Sequence, residues 1–189
     1  IVFKTTKSSN KLIEEFMLLA NKKVAEKMRK SKERFVYRVH DQPDQEKLKN
    51  LQTVVKRLGY NLKLSSNELN DSLNSLLKKA FGKNEQNLID TLMIRSMSKA
   101  EYTTKNIGHY GLSFENYTHF TSPIRRYPDV MVHRLIQAEI DGEKIKTDET
   151  ETLCKHSTHM EILATKAERD SVKLMQIKFM KDKEGKTFD

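Results

Sequence analysis

The feature that most constrains the fold is a helical spacing of apolar residues that recurs along most of the chain. Between residues 11 and 30 this spacing comes with acids early and bases late, as helix dipoles favour. Similar patterns predict five further helices: Asp44 to Leu58 before Gly59, Ser65 to Ala80 before Gly82, about 88–100, Pro128 to Asp141 before Gly142, and about 150–182. The helix from Ser65 is expected to begin with a capping box that pairs Ser65 with Glu68.

Two stretches favour strands instead. Residues 35–39 are β-branched and aromatic, and Asp41-Gln42-Pro43 ends them, so they predict a short strand at a sheet edge. Residues 108–121 alternate through Tyr110, Leu112 and Phe114, which is also typical of a strand. The predicted fold class is therefore a helix-rich α+β fold with a few short strands.

The net charge of the chain indicates the class of its partner. The formal net charge of +9 favours a polyanion, because phosphates attract lysine and arginine, and nucleic acid is the leading candidate. No apolar run approaches the roughly 20 residues that a membrane span needs, so we expect a cytoplasmic protein without a membrane partner. The single cysteine, Cys154, excludes an internal disulfide and is expected to be structural.

The richest segment for chemistry is residues 108–134, which reads GHYGLSFENYTHFTSPIRRYPDVMVHR. Thr121 and Ser122 supply hydroxyl groups just before Arg125 and Arg126, so backbone amides and guanidinium groups can converge on a phosphate. Adjacent arginines alone are more often a solvated or ion-paired surface. Four aromatic side chains of this segment could stack on RNA bases or belong to the core: Tyr110, Tyr117, His119 and Phe120.

The run TSPIRRYPD with its later His-Arg resembles the C-terminal signature of the ribonuclease II/ribonuclease R catalytic domain. Residues 12–21, LIEEFMLLAN, are similar to a second block of that family in the same order. The resemblance covers nearly the whole chain and implies an incomplete part of a larger catalytic domain. It implies an RNB-domain portion over residues 1–182 and, over 183–189, the start of an OB-fold RNA-binding domain.

The resemblance also implies roles for individual residues. Arg125 would grip the scissile phosphate and stabilise the transition state, while Arg126 would contact the RNA backbone or serve as a structural partner. Glu14 and Glu15 would lie near the 3′-terminal nucleotide, where a carboxylate can accept a hydrogen bond from a 2′-hydroxyl, with the choice between them open. Further RNA contacts are expected from Ser122, Tyr127, His133, Arg134 and Arg169. Ile162 departs from the arginine that many relatives carry, which weakens the match in that turn.

The implied activity is magnesium-dependent, processive hydrolysis of single-stranded RNA from its 3′ end to nucleoside 5′-monophosphates. The metal-binding aspartates are expected upstream of this chain, so no metal site is expected within it and the chain alone should be inactive. The intact enzyme is expected to be monomeric, whereas a part cut from a larger core can expose apolar surface and self-associate. Two alternatives stay open: a noncatalytic basic helical module that binds RNA or an acidic protein, and a parent that has lost its aspartates and serves as a scaffold.

Overall fold

The computed structural model describes residues 7–31, 34–65, 68–143, 148–181 and 183–187. Its regular elements, in chain order, are α1 (Ser8–Met28), β1 (Tyr37–Val39), α2 (Gln45–Arg57), α3 (Leu69–Ala80), α4 (Gln86–Ser96), β2 (Glu101–Thr103), a 3₁₀ helix (Tyr110–Leu112), α5 (Tyr127–Asp141) and α6 (Thr150–Lys181). This content confirms the predicted helix-rich α+β class. None of the helices in the described ranges is long and apolar enough to cross a membrane.

The chain divides into two compact units. The first comprises Ile1–Val39, Glu101–Asn106 and Phe114–Asp189, and the second comprises His40–Ala100 and Ile107–Ser113. The first unit therefore contains α1, α5, α6 and both strands, whereas the second contains α2, α3 and α4. Every candidate site residue named above except Tyr110 belongs to the first unit.

A small antiparallel sheet organises the first unit. β1 pairs with β2 so that Arg38 lies opposite Tyr102, and α6 packs against β2. The apolar core of this unit consists of buried side chains from the sheet and the neighbouring helices: Met28, Phe35, Val36, Tyr37, Val39, Tyr102, Met131, Val132, Leu135 and Cys154. Burial raises the pKa of the Cys154 thiol to about 12, which agrees with its predicted structural role.

The second unit is a helical cluster. α4 packs against both α2 and α3 and buries leucines and other apolar residues at the predicted spacing, among them Leu48, Leu51, Val55, Leu73, Leu76 and Ile89. The Asp44 carboxylate caps α2 by accepting hydrogen bonds from the amides of Glu46 (3.0 Å) and Lys47 (3.1 Å). Gly59 follows α2 with a φ of +83°, the left-handed conformation that glycine adopts without steric cost.

Three local predictions were wrong. Residues 108–121 contain a 3₁₀ helix instead of a strand, because Gly108 and Ser113 both have positive φ and turn the chain at either end of the alternating residues. α3 begins at Leu69 with Glu68 at its N-cap, and Glu68 bonds Ser65 through the backbone, so the predicted capping box does not start this helix. α4 ends at Ser96, before the predicted residue 100, because Met97 is already extended.

α6 is the longest described helix and confirms the prediction for about 150–182. Its first turns pack against β2 and α5, but its apolar residues beyond Glu161 are exposed. These exposed side chains include Ile162, Leu163, Val172, Leu174, Met175, Ile177 and Phe179. The apolar pattern thus predicted the helix correctly but not which part of it is buried.

Candidate functional site

The turn before α5 is fixed by a buried carboxylate. Asp129, in the first turn of α5, is 0% exposed, and its Oδ1 accepts hydrogen bonds from the Ser122 amide (2.7 Å) and the Arg126 Nη2 (2.8 Å). The backbone carbonyl of Ser122 accepts bonds from the amides of Arg125 (3.3 Å) and Arg126 (3.1 Å). Pro128 lies in the first turn of the helix, where its missing N–H costs nothing. These contacts hold the Ser122–Arg126 segment against α5.

The two adjacent arginines have different environments. Arg126 is ion-paired with Asp129 and its side chain is only 22% exposed. Arg125 is exposed, and among the described residues no carboxylate lies within 4.0 Å of its guanidinium group. Arg125 is therefore the member of the pair whose charge is available to an anionic ligand.

Arg125 lines a cavity of about 600 Å³, which we call the α6 cavity. Its walls come from β2, the start of α5 and one face of α6: Tyr102, Arg125, Arg126, Tyr127, Pro128, Leu153, His156, Ser157, Met160, Glu161 and Ala164. The cavity combines two arginines with apolar and aromatic surface. This combination suits a ligand that carries both a phosphate and a flat ring.

Glu161 in the lining of the α6 cavity belongs to a partly buried ion pair with Arg38. Arg38 donates from Nη1 to Oε2 of Glu161 (2.6 Å) and from Nη2 to Oε1 (3.0 Å), and its guanidinium carbon lies 4.5 Å from the centre of the Tyr102 ring. Tyr102 in turn bonds His119 through its hydroxyl group (2.8 Å). Burial raises the pKa of Tyr102 to about 12, against the opposing effect of the Arg38 charge, so the phenol stays neutral near pH 7.

A second cavity, of about 390 Å³, lies beside α1, and we call it the α1 cavity. Its lining includes Glu14, Asn21, Tyr117, Thr121 and Arg126. Glu14 is part of this lining and Glu15 is not, so the structure distinguishes the two acids that the sequence left equivalent. Both side chains are exposed to solvent.

Polar groups beside the α1 cavity are held in fixed positions. The buried Asn21 amide donates to the Tyr117 hydroxyl (3.1 Å) and accepts from the Phe120 amide (2.9 Å). Within the described residues, the buried Thr121 Oγ1 and Arg126 Nε have no hydrogen-bond partner.

The other predicted site residues are dispersed. Tyr127 is half exposed and lines the α6 cavity, whereas His133 stacks on Phe120 and bonds its carbonyl oxygen (2.9 Å). Arg134 and Arg169 are exposed, and neither is part of the lining of the two cavities. The structure thus brings Arg125, Arg126 and Tyr127 together and leaves Arg134 and Arg169 apart.

The four aromatic candidates differ in their burial and contacts. Tyr117 is buried, and Tyr110 bonds the side chain of Asn70 within the second unit. His119 and Phe120 are partly buried and contact Tyr102 and His133, respectively. These contacts favour packing over a free stacking platform for Tyr117 and Tyr110.

Sequence reasoning did not identify Arg38. A charged residue between the buried Tyr37 and Val39 in a short strand was the available signal, because a charge in such a position needs a partner. Its partner Glu161 lies 123 residues away in sequence. Spacing alone therefore gave no reason to pair them.

Comparison with known proteins identifies the family. A family model described as the RNB domain matches residues 1–142. The chain belongs to the RNB domain family. A relative from Aquifex aeolicus named Ribonuclease R is 36% identical over 95% of this chain and 26% of its own length. The chain spans about a quarter of the length of curated relatives that it matches.

Solved structures of RNB relatives agree with this assignment. Mycoplasma genitalium RNase R in complex with ribose-methylated single-stranded RNA matches with a TM-score of 0.89 and 27% identity, covering 99% of this chain and 31% of that chain. Yeast Ssd1, described as a pseudonuclease, matches with a TM-score of 0.66 and 28% identity over 79% of this chain and 20% of its own. The solved structures that this chain resembles thus include one named RNase R and one described as a pseudonuclease.

Proposed function

We propose that this chain is part of a longer 3′-to-5′ exoribonuclease that degrades single-stranded RNA processively to nucleoside 5′-monophosphates. Membership of the RNB family and the likeness to proteins named Ribonuclease R support the proposal. The observation that carries it is the exposed Arg125, which lacks a carboxylate partner within the described residues and lines the α6 cavity next to a turn held by Asp129.

Arg125 is the proposed catalytic residue. Hydrolysis of a phosphodiester builds negative charge on the phosphoryl oxygens, and a fixed guanidinium group stabilises that charge through two parallel hydrogen bonds. A free Arg125 can supply this, whereas Arg126 already donates to Asp129. We therefore assign Arg126 mainly to holding the turn.

The α1 cavity is the proposed place for the sugar of a nucleotide. Glu14 can accept a hydrogen bond from a ribose 2′-hydroxyl, a group that DNA lacks. Thr121 and Arg126 line the same cavity. Glu15, Ser122, Tyr127, His133, Arg134 and Arg169 stay as predicted RNA contacts, with the fewest supporting contacts for Arg134 and Arg169.

The family implies magnesium, but the described residues contain no group of three or more His, Cys, Asp or Glu that could hold a metal ion. These residues by themselves do not fit the ion. We propose that its ligands belong to another part of the parent enzyme. We also propose that residues 1–182 belong to the RNB domain and 183–189 to a following OB-fold domain, and that the parent is a cytoplasmic monomer.

The test uses the parent enzyme with magnesium and a 5′-labelled single-stranded RNA, and with DNA of the same sequence as the matched control. The proposal expects full-length labelled RNA to be converted to a short 5′-labelled end product without accumulation of intermediates, release of nucleoside 5′-monophosphates, and little degradation of the DNA. Internal cuts or shortening from the 5′ end would contradict it.

A noncatalytic RNA-binding scaffold is the second candidate, and the likeness to yeast Ssd1, a pseudonuclease, favours it. The same assay separates the two functions. RNA that is bound by the parent but stays at full length with magnesium would favour the scaffold.

A further inference from the structure

We propose that Arg38 is a positioning residue that holds the Glu161 carboxylate and so keeps Arg125 available for RNA phosphate. The inference rests on the proposed function, because it concerns the same α6 cavity. It adds a residue from β1 to a site whose other charged groups lie on the α5 turn and on α6.

The position of Arg38 follows from the sheet register. Arg38 lies directly opposite Tyr102 in the antiparallel pair, and opposite residues project from the same face. The aromatic ring supports the guanidinium group at 4.5 Å, and the Arg38 amide bonds the Tyr117 carbonyl (3.0 Å). The side chain is only 11% exposed, so its orientation is fixed before any ligand binds.

Both carboxylate oxygens of Glu161 accept hydrogen bonds from the Arg38 guanidinium group: Oε2 from Nη1 at 2.6 Å and Oε1 from Nη2 at 3.0 Å. Planar two-point pairing is specific to arginine and orients the acceptor as well as neutralising it. Glu161 nevertheless lines the α6 cavity, and its side chain is 42% exposed. The Glu161 carboxylate thus lies in the cavity wall, but it is paired with Arg38, which is not part of the lining.

Without Arg38, the same carboxylate would be an unpaired negative charge in a cavity that also holds Arg125. It would then attract Arg125 or repel an RNA phosphate, and either effect weakens binding of the anion. With Arg38 present, the pair is close to neutral and Arg125 acts on the phosphate alone. A plain structural brace would predict a different outcome, because removing Glu161 as well could not repair it.

The experiment compares the parent enzyme with Arg38→Met, Glu161→Gln and the double variant, measuring the dissociation constant for single-stranded RNA without magnesium and the single-turnover rate with it. Arg38→Met is expected to weaken RNA binding by about tenfold, an effect of the size that one unscreened charge has near a surface. Glu161→Gln leaves the Arg38 charge without its carboxylate and should bind RNA about tenfold more tightly than the unmodified parent. The double variant, which lacks both charges, should recover binding to within about threefold of the unmodified parent, as coupled neighbours do in a double-mutant cycle.

A double variant that binds as weakly as Arg38→Met would overturn the inference and make Arg38 a structural brace. Unchanged binding by Arg38→Met would overturn it as well. If Arg38→Met does not fold, Arg38→Gln carries the same test, because glutamine removes the positive charge but can still donate a hydrogen bond to Glu161. RNA binding should then weaken, and adding Glu161→Gln should restore it. The Arg125→Ala variant tests the proposed function separately. Unchanged cleavage in that variant would refute the catalytic role of Arg125, but it would not refute the coupling of Arg38 to Glu161.

Discussion

Replacing Asp129 by alanine tests how the turn that carries Arg125 is held. The substitution removes two hydrogen bonds to a fully buried carboxylate, one from the Ser122 amide and one from Arg126. Bonds to an ionised group contribute roughly 1.5–3 kcal/mol each. The Arg126 side chain is 22% exposed and can regain some hydration, so we take the lower end of the range and expect the free energy of unfolding to fall by about 3 kcal/mol.

For a chain of this size, a loss of about 3 kcal/mol lowers Tm by roughly 6–12 °C, which circular dichroism at 222 nm can follow. Asp129→Asn keeps an acceptor for the Ser122 amide and should lose less. Asp170→Ala removes an exposed aspartate of α6 and should change stability by less than about 0.5 kcal/mol. In native-state hydrogen exchange, the Ser122 amide should lose protection in Asp129→Ala. A Tm within 2 °C or so of the unmodified chain, or an unchanged Ser122 amide, would refute the reasoning.

Three further predictions concern the rest of the chain. Burial alone would raise the pKa of Glu151, but hydrogen bonds from Thr104 and Thr103 outweigh burial and keep this pKa below the usual 4.5. The stabilisation that Glu151 contributes is therefore present above that pH and is lost on acidification. Glu151→Gln should flatten the acid side of a stability–pH curve. Cys154 should resist iodoacetamide at pH 8 in the folded chain and react in urea, whereas equal rates would contradict its burial. Leu51→Ala should cost about 2–5 kcal/mol in urea unfolding, and a loss below roughly 1 kcal/mol would mean that the second unit is not packed as described.

The sequence predicted the helices well because their apolar spacing is a local property. The C-terminal ends of α2 and α5 were also predictable, since Gly59 and Gly142 both adopt a positive φ just after the helix. The strand predicted for 108–121 failed because backbone turns at Gly108 and Ser113 override side-chain alternation over so few residues. β2 was not predicted, because its three residues, Glu101–Thr103, are too few to show an alternating pattern.

The site was predictable only in part. The sequence around Arg125, in which hydroxyl residues precede two arginines, indicated phosphate chemistry, and Arg125 is accessible in the structure. The different environment of Arg126 depends on the burial of Asp129, which no spacing rule reveals. The pair of Arg38 with Glu161 joins a strand to a helix, and a single sequence carries no signal for such a contact.

Exposure along α6 was the other property that spacing did not predict. The apolar residues beyond Glu161 keep the helical pattern of a buried face, yet they are accessible within the described residues. Periodicity specifies which side chains share a face, but it does not specify what covers that face.

The most direct test of the central claim is the single-turnover rate of RNA cleavage by the parent enzyme and its Arg125→Ala variant, with the dissociation constant for the same RNA measured in parallel. Arg95→Ala, which removes an exposed arginine of α4, is the matched control. If Arg125 stabilises charge in the transition state, its loss should slow cleavage by about 10²–10³-fold while RNA binding changes far less and the control stays normal. Undiminished cleavage by Arg125→Ala, or an equal loss in the Arg95→Ala control, would contradict the account.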